Sequence, residues 1–498
     1  MSQSVLLVAG MAGASLAADG PHAGPNVQVN DPQELFPAGL QTRSTTTLGA
    51  SADGQRLLAG WEDFRGQCGP PANQPCPPED PSGISGFGFS VDGGITWTDG
   101  GAVPPVGTAK TYGHPWIDNG IFGGQGDHGG QPREVFFLAS RLRDGTVGTP
   151  LGVSVHRGHF AAGNFTLDDG QTINPPSANA AFTRPAIAVS KDGSGAAYVV
   201  LIDSIGICNI QFAGLGQVEV YRSHDGGDTW QGPAVVSPDP AEVTDPDDPL
   251  CGLEGPEQVS PALAIGPKGE VYVVWQYGPN FQTDRPTAYL SAIDFSRSLN
   301  AGKTFSAPLR LADINANRNN QPVGYAKNRM NDQPRIAVAL SGRHQGRVYV
   351  TFYQPVQTVT TANTAQSLVS TQIFLTFSDD RGQTWSTPKT LGPPVPATGI
   401  KRFWPTVSVR PNGDVDVVYL ESREVQLNPN PAVVGCDVPI GGGPRRTGPA
   451  SSLVDTYLIQ SGDGGETFGA PIRISSVTSN WCTANYHLPG TTNLSNFG

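Results

Sequence analysis

The sequence predicts an all-β protein, a six-bladed β-propeller of four-stranded antiparallel blades. Three observations predict it. An eight-residue phrase recurs along the chain. Short strand patterns surround each copy in a fixed order. The composition, with Gly 63 and Pro 45 in 498 residues, suits many turns, and no long segment shows clean helical periodicity.

The phrase reads "SVDGGITW" at 90–97, "SHDGGDTW" at 223–230, "SDDRGQTW" at 378–385 and "SGDGGETF" at 461–468. A fifth copy, "SLNAGKTF" at 298–305, carries Asn300 in place of the aspartate. Asp92, Asp225, Asn300, Asp380 and Asp463 are therefore separated by 133, 75, 80 and 83 residues. The first gap is nearly twice the others and predicts a worn copy near residue 158, which "SVHRGHFAAGNFT" at 154–166 fits. Six units of about 74 residues result, a period that signals a repeat array. The alternative is a seven-bladed propeller truncated at its C-terminus. "PNVQVND" (25–31) resembles an outer strand with no blade before it, and "TTNLSNFG" (491–498) the run-up to a first strand that does not arrive.

Each unit opens on a proline-led apolar run: "HPWID" (114–118), "RPAIAVS" (184–190), "SPALAIG" (260–266), "QPRIAVA" (333–339) and "WPTVSVR" (404–410). A glycine turn and a second strand follow, as in "GEVYVVW" (269–275). A third strand runs into the motif and a fourth leaves it, as in "PAVVS" (233–237). The motif thus falls between strands three and four. Its glycine permits a positive φ in a tight turn. The aspartate two residues earlier accepts turn N–H groups, and the Ser and Thr hydroxyls close the same loop. The terminal Trp or Phe is expected to bury a ring between sheets. Asn300 and the lack of a terminal glutamate disfavour a calcium loop. No metal or cofactor motif is present, and "DPDDPLCGLEGPE" (245–257) is the one stretch where adventitious cation binding is expected.

The formal net charge of -12 argues against a nucleic-acid binder, which needs a basic face, and against general attraction to anionic membranes. Residues 4–18 form the only apolar run worth testing as a membrane span, and the run is too short to cross a bilayer. Residues 1–20 resemble a signal peptide without its basic start, or a disordered tail, ahead of a single domain over 25–498. Export implies disulfides among the six cysteines, which allow 15 pairings. Cys68–Cys76, Cys208–Cys251 and Cys436–Cys482 are favoured because each pair brackets a Pro/Gly/Asp-rich insertion; free thiols are the alternative.

In an up-and-down blade the turn between strands three and four shares an end with the turn between one and two. The opposite end collects the loops after second strands and before first strands. The motif is therefore scaffold, and a ligand site belongs at the other end. That end collects Asp63, Arg65, Asp203, Tyr353, Glu421, Arg423, His114, Arg184, Asp332, Arg402 and Trp404. Charged and aromatic side chains gathered there point to a polar ligand.

S-x-D-x-G-x-T-W repeats resemble the Asp-box of the sialidase (neuraminidase) superfamily, over roughly residues 40–475. The resemblance implies a propeller; Asp-boxes themselves carry fold and not activity. It also implies three arginines on a substrate carboxylate, a Tyr–Glu nucleophile pair and an Asp acid/base, a departure from the two-carboxylate scheme of most glycosidases. "TRSTTTLGASADGQRLLAGWEDFR" (42–65) resembles the run around the family's first arginine and places Arg43 near it, with Ser44-Thr45 where Ile-Pro is expected. Asp80 and Asp63 are candidate acid/base residues. Tyr353 and Glu421 are the candidate nucleophile pair, with Tyr486 next in line. Arg43, Arg65, Arg184, Arg402, Arg423, His114 and Trp404 are the candidate substrate-binding residues.

The expectation is an exported, secreted or cell-surface, sialidase-like retaining hydrolase. It would remove terminal sialic acid or a related acidic sugar from a carbohydrate or glycoconjugate, with no cofactor. A non-catalytic propeller binding glycan or protein is the alternative, and a structural envelope component a third reading. Three arginines converging on one point would favour the first. Arginines already paired with carboxylates would favour the others.

Overall fold

The computed structural model describes residues 26–27, 29, 43–63, 83, 85–122, 133–144, 150–174, 180–205, 216–237, 256–279, 289–316, 334–359, 368–395, 400–427 and 449–480. The leader-like segment, all six cysteines, Arg65, Asp80, Asp332 and Tyr486 lie outside these residues. Among the described residues the regular elements are all strands. Among the described residues no helix is long and apolar enough to cross a membrane.

The chain divides into two compact units. The first contains three sheets. One is the four-stranded meander β1 (Arg43–Ala50), β2 (Leu57–Asp63), β3 (Ser85–Ser90) and β4 (Thr98–Ala102). The next has six strands: β5 (Ala109–Thr111), β6 (Trp116–Phe122), β7 (Arg133–Asp144), β8 (Pro150–Ala161), β9 (Asn164–Leu167) and β10 (Gln171–Ile173). Within it β6, β7, β8 and β9 pair in sequence order, and β5 and β10 are additions. The third is β11 (Ala180–Val189), β12 (Ala197–Ile205), β13 (Gln217–Ser223) and β14 (Gln231–Ser237).

The second unit carries most of a fourth meander, β15 (Pro256–Ile265), β16 (Val271–Pro279), β17 (Tyr289–Ser298) and β18 (Leu309–Ala316). It also carries a nine-stranded sheet: β19 (Arg335–Val338), β20 (Val348–Val359), β21 (Leu368–Ser378), β22 (Lys389–Thr390), β23 (Ile400–Val409), β24 (Val415–Leu427), β25 (Pro449–Ser461), β26 (Ile472–Arg473) and β27 (Ser479–Asn480). That sheet consists of two successive antiparallel meanders joined by a single parallel pairing, Thr371 with Lys401. The architecture is the blade-like one the repeat predicts, four-stranded antiparallel sheets in chain order.

Alternation along the strands builds the cores. In the first unit Val135, Phe137 and Ala139 of β7 bury against Ile187, Val199 and Leu201 of the next sheet. In the second, Tyr353, Ile373 and Leu375 pack with Phe403, Val417 and Tyr419. Val29, from the N-terminal outer-strand pattern, buries beside Ala59, Trp61 and Trp97.

The eight-residue motif forms the turn between third and fourth strands, as expected. At 461–468 the Ser461 hydroxyl donates to Asp463 at 2.7 Å and accepts the Gly465 N–H at 2.7 Å. Asp463 also accepts the N–H groups of Glu466 and Thr467 at 3.0 and 2.9 Å. The hydrogen bond from the Thr467 hydroxyl, first among these contacts, holds the Asp463 carboxyl well below its ordinary range. Asn300 keeps the geometry with one polarity reversed: its amide donates to the Thr304 hydroxyl at 2.9 Å, while its carbonyl accepts the Thr304 N–H at 3.0 Å. Two adjacent residues in each turn are left-handed, not one: Gly93 and Gly94, Gly226 and Gly227, Ala301 and Gly302, Arg381 and Gly382, Gly464 and Gly465. The rings are half-buried. Trp385 meets Phe295 of the preceding sheet edge-on at 4.9 Å. Trp97 packs instead on its own sheet, where Val29 supplies the cover. The worn copy has shrunk to a two-residue hairpin, Ala161 paired with Asn164 across left-handed Ala162 and Gly163.

A feature absent from the repeat pattern ties sheets together. An arginine on a third strand donates to a backbone carbonyl in the next sheet's motif turn. Arg157 reaches Gly226 at 3.1 Å, Arg222 reaches Gly302 at 3.4 Å and Arg297 reaches Arg381 at 2.7 Å. Arg222 and Arg297 immediately precede their own motif serines.

Candidate functional site

Strand register fixes where the candidate residues stand. The motif serines pair with the starts of second strands: Ser90 with Leu57, Ser223 with Ala197, Ser461 with Val415. Asp63, Asp203 and Glu421 each lie six residues beyond that start. At about 3.3 Å per residue they stand roughly 20 Å from the motif turns. The motif and the candidate site residues occupy opposite ends of their sheets, as the meander topology requires.

In the second unit one lateral row crosses three strands: Arg402 pairs with Glu421, and Glu421 with Asp455. Residues two apart share a face, which adds Tyr419 and Arg423 on β24 and Tyr457 on β25. Arg402 Nε–H donates to Glu421 at 2.9 Å, and both side chains are only 6% exposed. Arg402 Nη1 donates to Gln372 Oε1 at 3.0 Å and to the Pro393 carbonyl at 2.7 Å. Arg423 Nε–H takes the other Glu421 oxygen at 3.0 Å, and its Nη2 donates to the Tyr457 hydroxyl at 2.5 Å. Arg423 is 53% exposed. Tyr457 stacks on Tyr419 at 5.8 Å, and burial pushes the Tyr419 hydroxyl up to about 12. At the edge, Asp455 accepts from Arg473 at 2.8 Å, and from Ser475 and Thr478 at 2.9 Å each. Two buried carboxylates thus orient three arginines, and the two outer ones reach solvent.

In the first unit the loop "YGHP" is laced to the neighbouring sheet. Glu62 accepts the His114 N–H at 3.0 Å and lies 3.8 Å from His114 Nδ1. Ser85 accepts the Gly113 N–H at 2.9 Å, and Ser140 donates to the Gly113 carbonyl at 2.9 Å. In the third sheet, Glu219 and Asp203 are buried together. Gln217 donates to Glu219 at 2.5 Å, and the Tyr221 hydroxyl lies 3.4 Å from its other oxygen. Burial, with a smaller contribution from Asp203, pushes the Glu219 carboxyl up to about 7 against the pull of the Gln217 bond. Burial therefore favours the protonated form of Glu219 well above the ordinary carboxylate range.

The structure therefore brings Arg402, Glu421 and Arg423 into one network. Tyr353 is fully buried in the apolar core beside Phe403 and Tyr419. Both oxygens of Glu421 go to arginines. Trp404, His114 and Arg184 each precede the proline of their first-strand run and are half-buried. Arg43 stands opposite Asp63 in the backbone register of β1 and β2. Glu62, Glu219, Tyr221, Tyr457, Asp455 and Arg473 were missed by sequence reasoning. The signal for several was period-two alternation: Tyr419, Glu421 and Arg423 in "YLESR", and Asp455 and Tyr457 in "DTY".

No protein-family model and no curated protein matches the chain. Solved structures do. An α-L-arabinofuranosidase from Fusarium graminearum, with an iminosugar inhibitor, is 13% identical; the match covers 80% of this chain and 92% of that one at a TM-score of 0.47. An α-L-arabinanase from Penicillium chrysogenum, complexed with arabinobiose, is 14% identical over 80% and 94%, at 0.45. The intramolecular trans-sialidase from Ruminococcus gnavus, in complex with oseltamivir carboxylate, is 11% identical over 77% and 91%, at 0.40.

Proposed function

We propose that this chain is an exported, sialidase-like Asp-box propeller of six blades. Its strand ends opposite the Asp-boxes bind a carbohydrate bearing a carboxylate and hydrolyse its terminal acidic sugar, sialic acid or a relative. One observation carries the binding half of this reading. Arg423 is held in place by a buried carboxylate yet half open to solvent, in a chain of net charge -12. An exposed, pre-oriented guanidinium in an acidic protein suits an anionic ligand. For the chemistry, Asp63 or Asp80 is the proposed acid/base, while Tyr353, fully buried in the apolar core, and Glu421, with both oxygens on arginines, are not placed to form the nucleophile pair that the resemblance implies. The reading needs no cofactor.

The test is turnover of a fluorogenic sialoside, with a fluorogenic arabinofuranoside beside it. Arg423→Ala should lower sialoside turnover at limiting substrate by roughly 10- to 100-fold. Unchanged sialoside turnover by Arg423→Ala would remove the carboxylate contact from this end of the sheet.

A second reading, a non-catalytic propeller that binds glycan or protein, is favoured by a different observation. Arg402 is enclosed by Glu421, Gln372 and the Pro393 carbonyl, so its charge is already answered. Glycan binding without turnover of either substrate would place that reading first.

A further inference from the structure

Eight described residues other than glycine have positive φ, and four of them hold one structural position. His114, Arg184, Ser260 and Trp404 have φ of 51°, 52°, 52° and 49°. Each immediately precedes the proline of a first-strand run: Pro115 stands just before β6, whereas Pro185, Pro261 and Pro405 lie inside β11, β15 and β23, which begin about five residues earlier than the proline-led pattern predicts. In β11 and β23 the register slips around this residue, between Thr183 and Ala186 and between Phe403 and Thr406. The slip marks a bulge that re-aims the side chain.

This backbone is unfavourable twice over. A residue with a β-carbon is strained in the left-handed region, and a following proline confines its neighbour to extended conformations. Glycine would relieve the first strain. The chain uses glycine freely for this purpose in its motif turns, at Gly94, Gly227, Gly302, Gly382 and Gly465 among others. Before the prolines it places histidine, arginine, serine and tryptophan instead. All four are half-buried, whereas the prolines after them are buried. The backbone is constant while the side chain varies among types that recognise ligands. Strain of this kind gathers where a side chain has a task.

We propose that the left-handed residue before the first-strand proline is the ligand-contact position of its sheet. In the first unit, His114 and Arg184 together hold the anionic part of a sugar. This rests on the carbohydrate reading above and adds the residues that select the ligand. His114 stands two residues before β6 and Arg184 lies within β11, and β6 and β11 pack side by side. Glu62 fixes the His114 backbone from the neighbouring sheet. Arginine supplies paired donors for a carboxylate, and the imidazole supplies a further donor when its nitrogen is protonated.

The experiment replaces each residue by glycine in the full chain, because glycine removes the side chain and relaxes the backbone at once. Binding of free N-acetylneuraminic acid is measured by titration calorimetry, with galactose as neutral control and thermal unfolding in parallel. His114→Gly and Arg184→Gly should each weaken N-acetylneuraminic acid binding by about tenfold or more, the loss of one charge-assisted contact. Their unfolding midpoints should equal or exceed wild type. Wild-type binding retained within about twofold in both variants overturns this inference and leaves the carbohydrate reading standing. A fall in unfolding midpoint alongside lost binding makes the side chains structural and also overturns it. No binding of the acid by wild type overturns both.

Discussion

Arg402 and Glu421 form a charge pair at 2.9 Å in which neither side chain is more than 6% exposed. The pair spans neighbouring strands, and the same guanidinium reaches the adjoining meander through Gln372 and the Pro393 carbonyl. Two consequences follow from burial. The pair orients Arg423 through the shared carboxylate, and its rupture leaves a charge without a partner in a dry environment.

Arg402→Ala should therefore destabilise the protein by about 3–5 kcal/mol, the range for orphaning one member of a buried pair. Urea unfolding measures it. A loss below about 1 kcal/mol would show that Glu421 finds another partner, with Arg423 the nearest. Because the variant damages folding, lost activity alone says nothing about a substrate contact at Arg402.

Arg423→Ala should behave differently. The side chain is 53% exposed and its ion pair faces water on one side, so the stability loss should stay within about 1 kcal/mol. Affinity for an acidic sugar should fall by ~1.5–3 kcal/mol, the range for hydrogen bonds to charged groups. Neutral sugar binding should not change. Equal losses for acidic and neutral sugars would remove Arg423 from carboxylate recognition.

Asp380→Ala should cost about 1–2 kcal/mol, because the Asp380 carboxylate accepts from Ser378, Gln383 and Thr384 within one turn. Asp380→Asn should cost less, since Asn300 already builds the same turn by reversing one bond. Ligand binding in the folded fraction should survive both changes, because the turn lies at the far end of its sheet. Abolished binding in a fully folded Asp380→Ala protein would overturn the scaffold role.

Glu219 predicts a pH dependence. Its folded carboxyl titrates near 7, raised from 4.5 by burial beside Asp203. A carboxyl whose folded value is raised contributes stability that is fully present below the unfolded value. That contribution is lost as pH rises from about 4.5 through 7. Wild type should therefore lose stability across this window relative to Glu219→Gln, whose neutral amide does not titrate. Parallel stability curves from pH 5 to 8 would count against a protonated Glu219.

The sequence by itself determined the repeat, the strand order within each sheet, the motif turns and the end of the sheets where charge collects. These are local properties. Period-two alternation sets faces, and a Ser-x-Asp-x-Gly turn closes within eight residues whatever surrounds it. It also held Arg222 and Arg297 before their serines, and Asp63, Asp203 and Glu421 at one register, for anyone counting from the motif. What tertiary structure alone decided is who partners whom. Arg402 and Arg423 look alike in sequence, yet one is enclosed by Gln372, 30 residues upstream, and the other faces water. Glu219 sits in an ordinary strand pattern, and only the sheet packed against it removes the water that would keep it ionised. Nor does a proline announce that the residue before it is left-handed, because local sterics argue the reverse. That conformation exists only where strand pairing on both sides holds it in place.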